Sequence, residues 1–249
     1  MKEQDIPQAN TSQEDIIANI LEFLPAECGM EVDLPSRGQF YQNKQGRVTV
    51  KPLDFEGEKK ILSLKRSDLS PIDVLLDMCV EGIDTQDLCS MDRLYLILKI
   101  REASHGEELT TTASCKYCET EAELNIMLSQ LNTTYVPEDM TDPRTIHLEE
   151  LKKDIEIRMP RVRDDKHLKS PDMVMSNLWR FVVSIDGVTS SPIISQIIPK
   201  LPTKDRHKLI KEIMNIDYGV DTKVKFECDE CERVNIIDLP LTEDFFTVK

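Results

Sequence analysis

Four of the seven cysteines in this 249-residue chain form two close pairs, Cys115-Lys116-Tyr117-Cys118 and Cys228-Asp229-Glu230-Cys231. A thiolate is both a metal ligand and a nucleophile, and C-x-x-C spacing places two of them on one tight turn. Both pairs stand in the same context: a short extended stretch before, a few polar residues after, then an alternating apolar run. One such turn supplies half of a tetrahedral site, with Zn–S near 2.3 Å, and a second supplies the rest. The pattern predicts that Cys115, Cys118, Cys228 and Cys231 share one structural Zn2+. Four thiolates close the coordination sphere, so the ion is expected to hold structure rather than substrate. Closing a loop of about 110 residues costs roughly 4 kcal/mol of chain entropy. A structural zinc contributes on the order of 10–16 kcal/mol and outweighs that cost. The competing chemistry is a redox pair, but a thioredoxin-like site has a strand before it and a helix after it. Here both flanks read as extended.

No other residues reach that specificity. The four histidines, His105, His147, His167 and His207, form no H-E-x-x-H pair, and no G-x-S-x-G, P-loop or G-x-G-x-x-G run occurs. Asp164-Asp165 and Glu149-Glu150 read as solvated acids rather than an acid–base pair. Arg161, Arg163, Lys166 and Lys169 read as a solvated loop, with an acidic partner as the other reading. Trp179 sits at helical spacing and reads as core. No catalytic residue is assigned, and the expectation is a protein without enzymatic activity.

The elements that must position the cysteines follow from periodicity and turn chemistry. Residues 1–10 read as a disordered tail. Thr11 and Glu14 have capping-box spacing ahead of a helix that Pro25 ends. A small hairpin follows, with turn chemistry at Leu34 to Gly38, Phe40 and Tyr41 on its first arm and Val48 to Val50 as its second. Helices are expected over Phe55 to Lys65, from Ser70-Pro71, and from a Ser90 cap to about Ala103, closed by His105-Gly106. The two cysteine segments read strand, turn, strand. Between them, Asp154 to Pro160 alternates as a strand does. Helices are expected from Ser170 through Val182, from Pro192 to Ile198, and from Thr203 toward Tyr218-Gly219.

The fold class is therefore α+β. The expected domains are a helical one with a small hairpin at 11–108, a split zinc ribbon at 109–130 and 220–241, and a mainly helical insertion at 131–219. The formal net charge is −15, and so acidic a surface repels phosphate. Nucleic-acid binding is not expected, and the acidic CDEC flanks have the wrong sign for a ribbon that grips DNA or RNA. No apolar run reaches the roughly 20 residues of a membrane span. The polar N-terminal stretch lacks the apolar core of a signal peptide.

The series LPSRG at 34–38, the aromatic Phe40, VTVKPL at 48–53, an acidic helix, Asp73 to Cys79, Asp92 to Arg101 and then CKYC resembles the phage baseplate family to which the T-even hub assembly proteins belong. The resemblance covers roughly Cys28 to Leu128, with LPSRG and the cysteine pair as its most specific parts, and the stretch from about Tyr135 to Tyr218 adds nothing to it. It implies a factor that helps build the central hub of a contractile tail in the host cytoplasm and is absent from the mature virion. The implied partners are baseplate hub or tape-measure proteins. A zinc-ribbon regulator that binds nucleic acid is the alternative, and a thiol oxidoreductase using Cys115 and Cys118 is a third reading. Leu34 to Tyr41 reads either as a structural turn or as a partner-binding stretch.

Overall fold

The computed structural model describes residues 17, 29–64, 70–214, 217–239 and 245. The tail expected over 1–10 and the helix expected between Thr11 and Pro25 lie outside the described residues, apart from Ile17.

The described chain opens with strands β1 (Met30–Asp33) and β2 (Arg47–Val50), paired antiparallel with Met30 opposite Val50. Val32, Val48 and Val50 are buried while Arg47 faces solvent, the alternation of a half-covered sheet. The joining loop is pinned by a bond from the Leu34 N–H to the Gly46 carbonyl, 2.7 Å. Phe40 and Tyr41, expected on the first arm, lie in this loop instead. The reason is local: Arg37 and Gly38 take φ of 51° and 73°, which no strand accommodates, and successive turn bonds carry the chain through Tyr41.

Helix α1 (Phe55–Ser63) is capped by Asp54, whose carboxylate accepts from the Gly57 N–H at 2.7 Å. Helix α2 (Pro71–Cys79) starts as its Ser-Pro sequence dictates, with Ser70 as cap, and leads into β3 (Val80–Glu81), which adds to β2. Helix α3 (Ser90–His105) begins one residue before expectation: Cys89 occupies the cap position without a side-chain bond, and Ser90 is already helical. Gly106, at φ 84°, ends it. Leu75, Leu76, Leu96 and Ile100 pack with Leu34 and Val50 in the first core.

Two hairpins follow the expected pattern. Strands β4 (Glu108–Ser114) and β5 (Glu121–Met127) carry the first cysteine pair at their tip. Near the C-terminus, β11 (Lys223–Glu227) and β12 (Val234–Asp238) carry the second.

The chain between them leaves and returns through a narrow neck, where β6 (Thr133–Thr134) pairs with β10 (Gly219–Val220). The insertion is mixed rather than mainly helical. It holds a three-stranded antiparallel sheet of β7 (Arg144–Leu148), β8 (Lys153–Ile157) and β9 (Val182–Ile185). Helices α4 (Pro171–Asn177), α5 (Ser191–Ile197) and α6 (Thr203–Met214) accompany it. Leu178 and Val182 fit helical spacing, yet the α-helix stops at Asn177, a 3-10 turn carries on through Leu178–Phe181, and the β-branched run Val182-Val183 enters the sheet beside β8. Ile155, Ile157, Phe181, Ile194 and Leu209 form the centre of this second core. Thr203 begins α6 as a helical residue rather than a cap, and the described part of the helix runs to Met214.

Candidate metal centre

The two hairpin tips meet. The Cys115 and Cys231 sulfurs are 3.6 Å apart, and so are those of Cys118 and Cys228. All four sulfurs lie within 4.8 Å of one another. A tetrahedral ion with Zn–S bonds near 2.3 Å separates its ligand sulfurs by about 3.8 Å, so the quartet fits such an ion. A disulfide needs about 2.05 Å, and the cysteines are free thiols. Among the described residues, this is the group of metal-ligating side chains close enough to share an ion.

Each tip is built the same way. In the first, the Cys115 N–H bonds the Thr120 carbonyl at 2.9 Å and the Glu119 N–H bonds the Cys115 carbonyl at 2.9 Å. In the second, the Cys228 N–H bonds the Arg233 carbonyl at 3.1 Å and the Glu232 N–H bonds the Cys228 carbonyl at 2.8 Å. Glu119 and Glu232 occupy equivalent left-handed positions, with φ of 62° and 53°. The leading cysteine of each pair, Cys115 and Cys228, is buried, Cys231 is half-buried, and Cys118 is exposed.

Asn235 locks one tip to the other, and sequence reasoning missed it. Its side-chain oxygen accepts from the Lys116 N–H at 3.0 Å, and its amide donates to the Cys115 sulfur at 3.4 Å and to the Arg233 carbonyl at 3.0 Å. The Lys116 ammonium reaches the Ile236 carbonyl at 2.9 Å, and Arg233 stacks on Tyr117 at 4.8 Å. The available signal was an inverted alternation: Val234 and Ile236 face solvent while the polar Asn235 is 2% exposed.

The thiols are electrostatically unlike. Burial pushes Cys115 up, but the N–H groups of Tyr117 and Cys118 and the Asn235 amide outweigh it and bring the thiol down to about 6. The Thr120 hydroxyl and N–H draw Cys118 down. At Cys231 the Arg233 N–H pulls the same way, but burial and the other three thiols push it up to about 12. Four adjacent sulfurs do not all release their protons unaided, and a divalent cation held among them would supply the charge that lets them.

The other residues singled out by sequence serve the fold. Asp164, expected to be solvated, is buried and gripped by Arg158 at 2.7 and 3.0 Å, and Asp165 pairs with Arg93, which also holds Asp73 at 2.7 Å. Glu149 and Glu150 make surface pairs with Lys208 and Lys204. Of the basic cluster, Arg163, Lys166 and Lys169 are exposed as expected, but Arg161 is not. Arg163 pairs with Asp87 and Asp84. Arg161 is mostly buried at the centre of a polar seam between the first core and the insertion. It donates to the Phe40 carbonyl at 2.5 Å, to the Asp142 carboxylate and to the Cys89 sulfur. Beside it, the Tyr41 hydroxyl donates to Asp92 at 2.5 Å and accepts from the Cys89 N–H at 3.2 Å. Burial pushes the Cys89 thiol up to about 12, so it stays neutral and unreactive. Trp179 is partly buried against the second core, with Arg180 over its ring at 4.6 Å. His147 and His207 are exposed, and His105 approaches Glu58 at 4.0 Å.

No curated protein and no solved structure matches the chain. The family model described as "T4 bacteriophage base plate protein" matches residues 29–247, running through both cysteine hairpins and through the insertion that the sequence resemblance did not reach. Over that span the chain belongs to the T4 bacteriophage base plate protein family.

Proposed function

We propose that the chain is a non-enzymatic assembly factor of the phage baseplate, promoting construction of the central hub of a contractile tail by binding hub or tape-measure proteins. Family membership sets the baseplate context. The observation that carries the mode of action is the sulfur quartet: four thiolates leave a bound ion no open position for substrate, so the metal acts as a clamp. In this reading, Cys115, Cys118, Cys228 and Cys231 hold one Zn2+, which supplies folding energy to both hairpins. The protein works in the host cytoplasm and leaves before the particle is complete.

The test is co-expression of the full chain with hub and tape-measure proteins, followed by pull-down. A stable complex with one of them, together with hubs that form only when the chain is present, is the expected result. Hubs that assemble equally well without it, and no complex with either protein, would sink the proposal. Metal analysis of freshly purified protein gives about one zinc per chain if the quartet is loaded. Its presence in infected-cell lysate and absence from purified virions tests the place of action.

A further inference from the structure

The motif LPSRG is only partly consumed by the fold. Leu34 is fully buried in the first core. The Pro35 carbonyl accepts from the Val136 N–H at 2.9 Å. Ser36 is fully buried, with its N–H on Asp92 at 3.0 Å and its hydroxyl accepting from the Gly38 N–H at 3.2 Å. Gly38 sits at φ 73°, where a Cβ would come within 2.6 Å of the Lys44 and Gly46 backbone. Four of the five positions thus have a structural reason.

Arg37 does not. It holds φ 51°, a left-handed conformation that a Cβ-bearing residue adopts only at a cost. Its side chain is half exposed, lies over the Tyr135 ring at 5.5 Å, and pairs at 3.5 Å with Glu138, which is 88% exposed. Together with Tyr135, Arg47, Asp33 and Gly46 it lines an open cleft of about 530 Å³. The loop beneath is fixed from below by Asp92 and by Arg161, whose guanidinium holds the Phe40 carbonyl. An over-determined loop can keep a strained residue in place, and such strain collects where a side chain must be presented. Arg47 is gripped by Asp33 through two bonds, at 2.7 and 3.1 Å, whereas Arg37 has one longer contact, 3.5 Å, to Glu138, so Arg37 is the cation the cleft gives up more readily.

From the motif's division of labour we infer that Arg37, backed by Tyr135, is the docking point for a carboxylate of a partner protein, an Asp or Glu side chain or a chain terminus. This rests on the assembly reading above and names the recognition chemistry within it. A chain of net charge −15 repels most acidic surfaces, so a preset guanidinium in a concave site selects the one acidic group that enters it. Glu138 holds the place meanwhile. It is largely solvated, so exchanging it for a partner's carboxylate forfeits little.

The experiment is pull-down of hub and tape-measure proteins by the full chain carrying Arg37→Gly, Arg37→Glu or Glu138→Gln. Glycine takes φ 51° freely, so Arg37→Gly keeps the wild-type Tm or raises it while retained partner falls about tenfold or more. Arg37→Glu loses as much, and Glu138→Gln retains partner as well as wild type or better. Retention by Arg37→Gly within about twofold of wild type overturns the docking role and leaves the assembly reading standing. A drop in retention for Glu138→Gln also overturns it, because the internal carboxylate would then be part of the contact rather than its placeholder. A wild-type chain that retains neither protein removes both.

Discussion

The sulfur quartet joins residues 110 and 116 positions apart, and the polar seam joins Phe40 to Arg161, 121 positions apart. Both tie distant stretches together, but by different physics. The quartet uses four copies of one residue, spaced so that one ion could sit at its centre. The seam uses Arg161, Asp142, Cys89, Tyr41 and Asp92, residues of four types, mostly buried and mutually satisfied by directed hydrogen bonds. An ion clamp is reversible and strong in one step. A buried polar network is permanent, and each member is costly to lose because its neighbours remain desolvated.

The largest expected effect separates the two. Removing the metal by chelation, or changing Cys228→Ala, withdraws a contribution on the order of 10 kcal/mol, comparable to the whole stability of an ordinary domain. Hydrogen exchange should show residues 108–127 and 223–238 losing protection together, while the seam and the insertion core keep theirs. If the Cys115 hairpin keeps its protection in Cys228→Ala, the ion is not shared and the clamp does not exist.

Breaking the seam should cost less and spread further. The Asp142 side chain is 4% exposed, and Arg161→Ala leaves it without its cation at a cost of about 3–5 kcal/mol. Burial already pushes the Asp142 carboxyl above its ordinary range, against the pull of Arg161, so the lost pairing falls on a group that is poorly solvated. Urea unfolding measures the loss. A double change, Arg161→Met with Asp142→Leu, should recover most of it, since neither charge then remains buried alone. A loss below about 1 kcal/mol in Arg161→Ala would mean that water reaches the seam.

This difference also decides what a sequence can disclose. The quartet was legible because thiolate geometry demands two cysteines three positions apart, and each pair declares itself locally. Ser70-Pro71 and His105-Gly106 were legible for the same reason: cap chemistry is written within a few residues. The seam has no local signature. Cys89 reads as a scattered thiol, Arg161 as one member of a basic run, and Asp142 as one acid among many, and only the tertiary fold gives them a common site. Strands β7 and β9 were missed because short runs such as Arg144–Leu148 and Val182–Ile185 carry too few periods to separate strand from helix. Tyr41 went astray because the positive φ at Arg37 is not a property its side chain reveals.

Asn235 brings both kinds of physics to one residue, and its replacement is the intermediate case. Asn235→Ala leaves the Lys116 N–H without its acceptor and removes a donor from the Cys115 sulfur. The expected cost is about 1–3 kcal/mol, with metal affinity down by roughly 10–100-fold. Competition against a chelator of known strength reads the affinity. Unchanged affinity with reduced stability would make Asn235 a strut between the tips rather than a support of the ligand.

The smallest effect tests whether the two tips are mechanically equal. Glu119 and Glu232 hold the same left-handed position after each cysteine pair. A side chain there costs about 1–2 kcal/mol, and glycine returns part of that through its larger unfolded-state entropy. Glu119→Gly and Glu232→Gly should therefore each raise stability by about 0.5–1 kcal/mol, read as a small rise in Tm. Equal gains mean that the ion loads both turns alike. A gain at one tip alone would show that the cross-tip contacts of Asn235 and Lys116 let one turn relax at the other's expense, and the clamp would then have a rigid jaw and a yielding one.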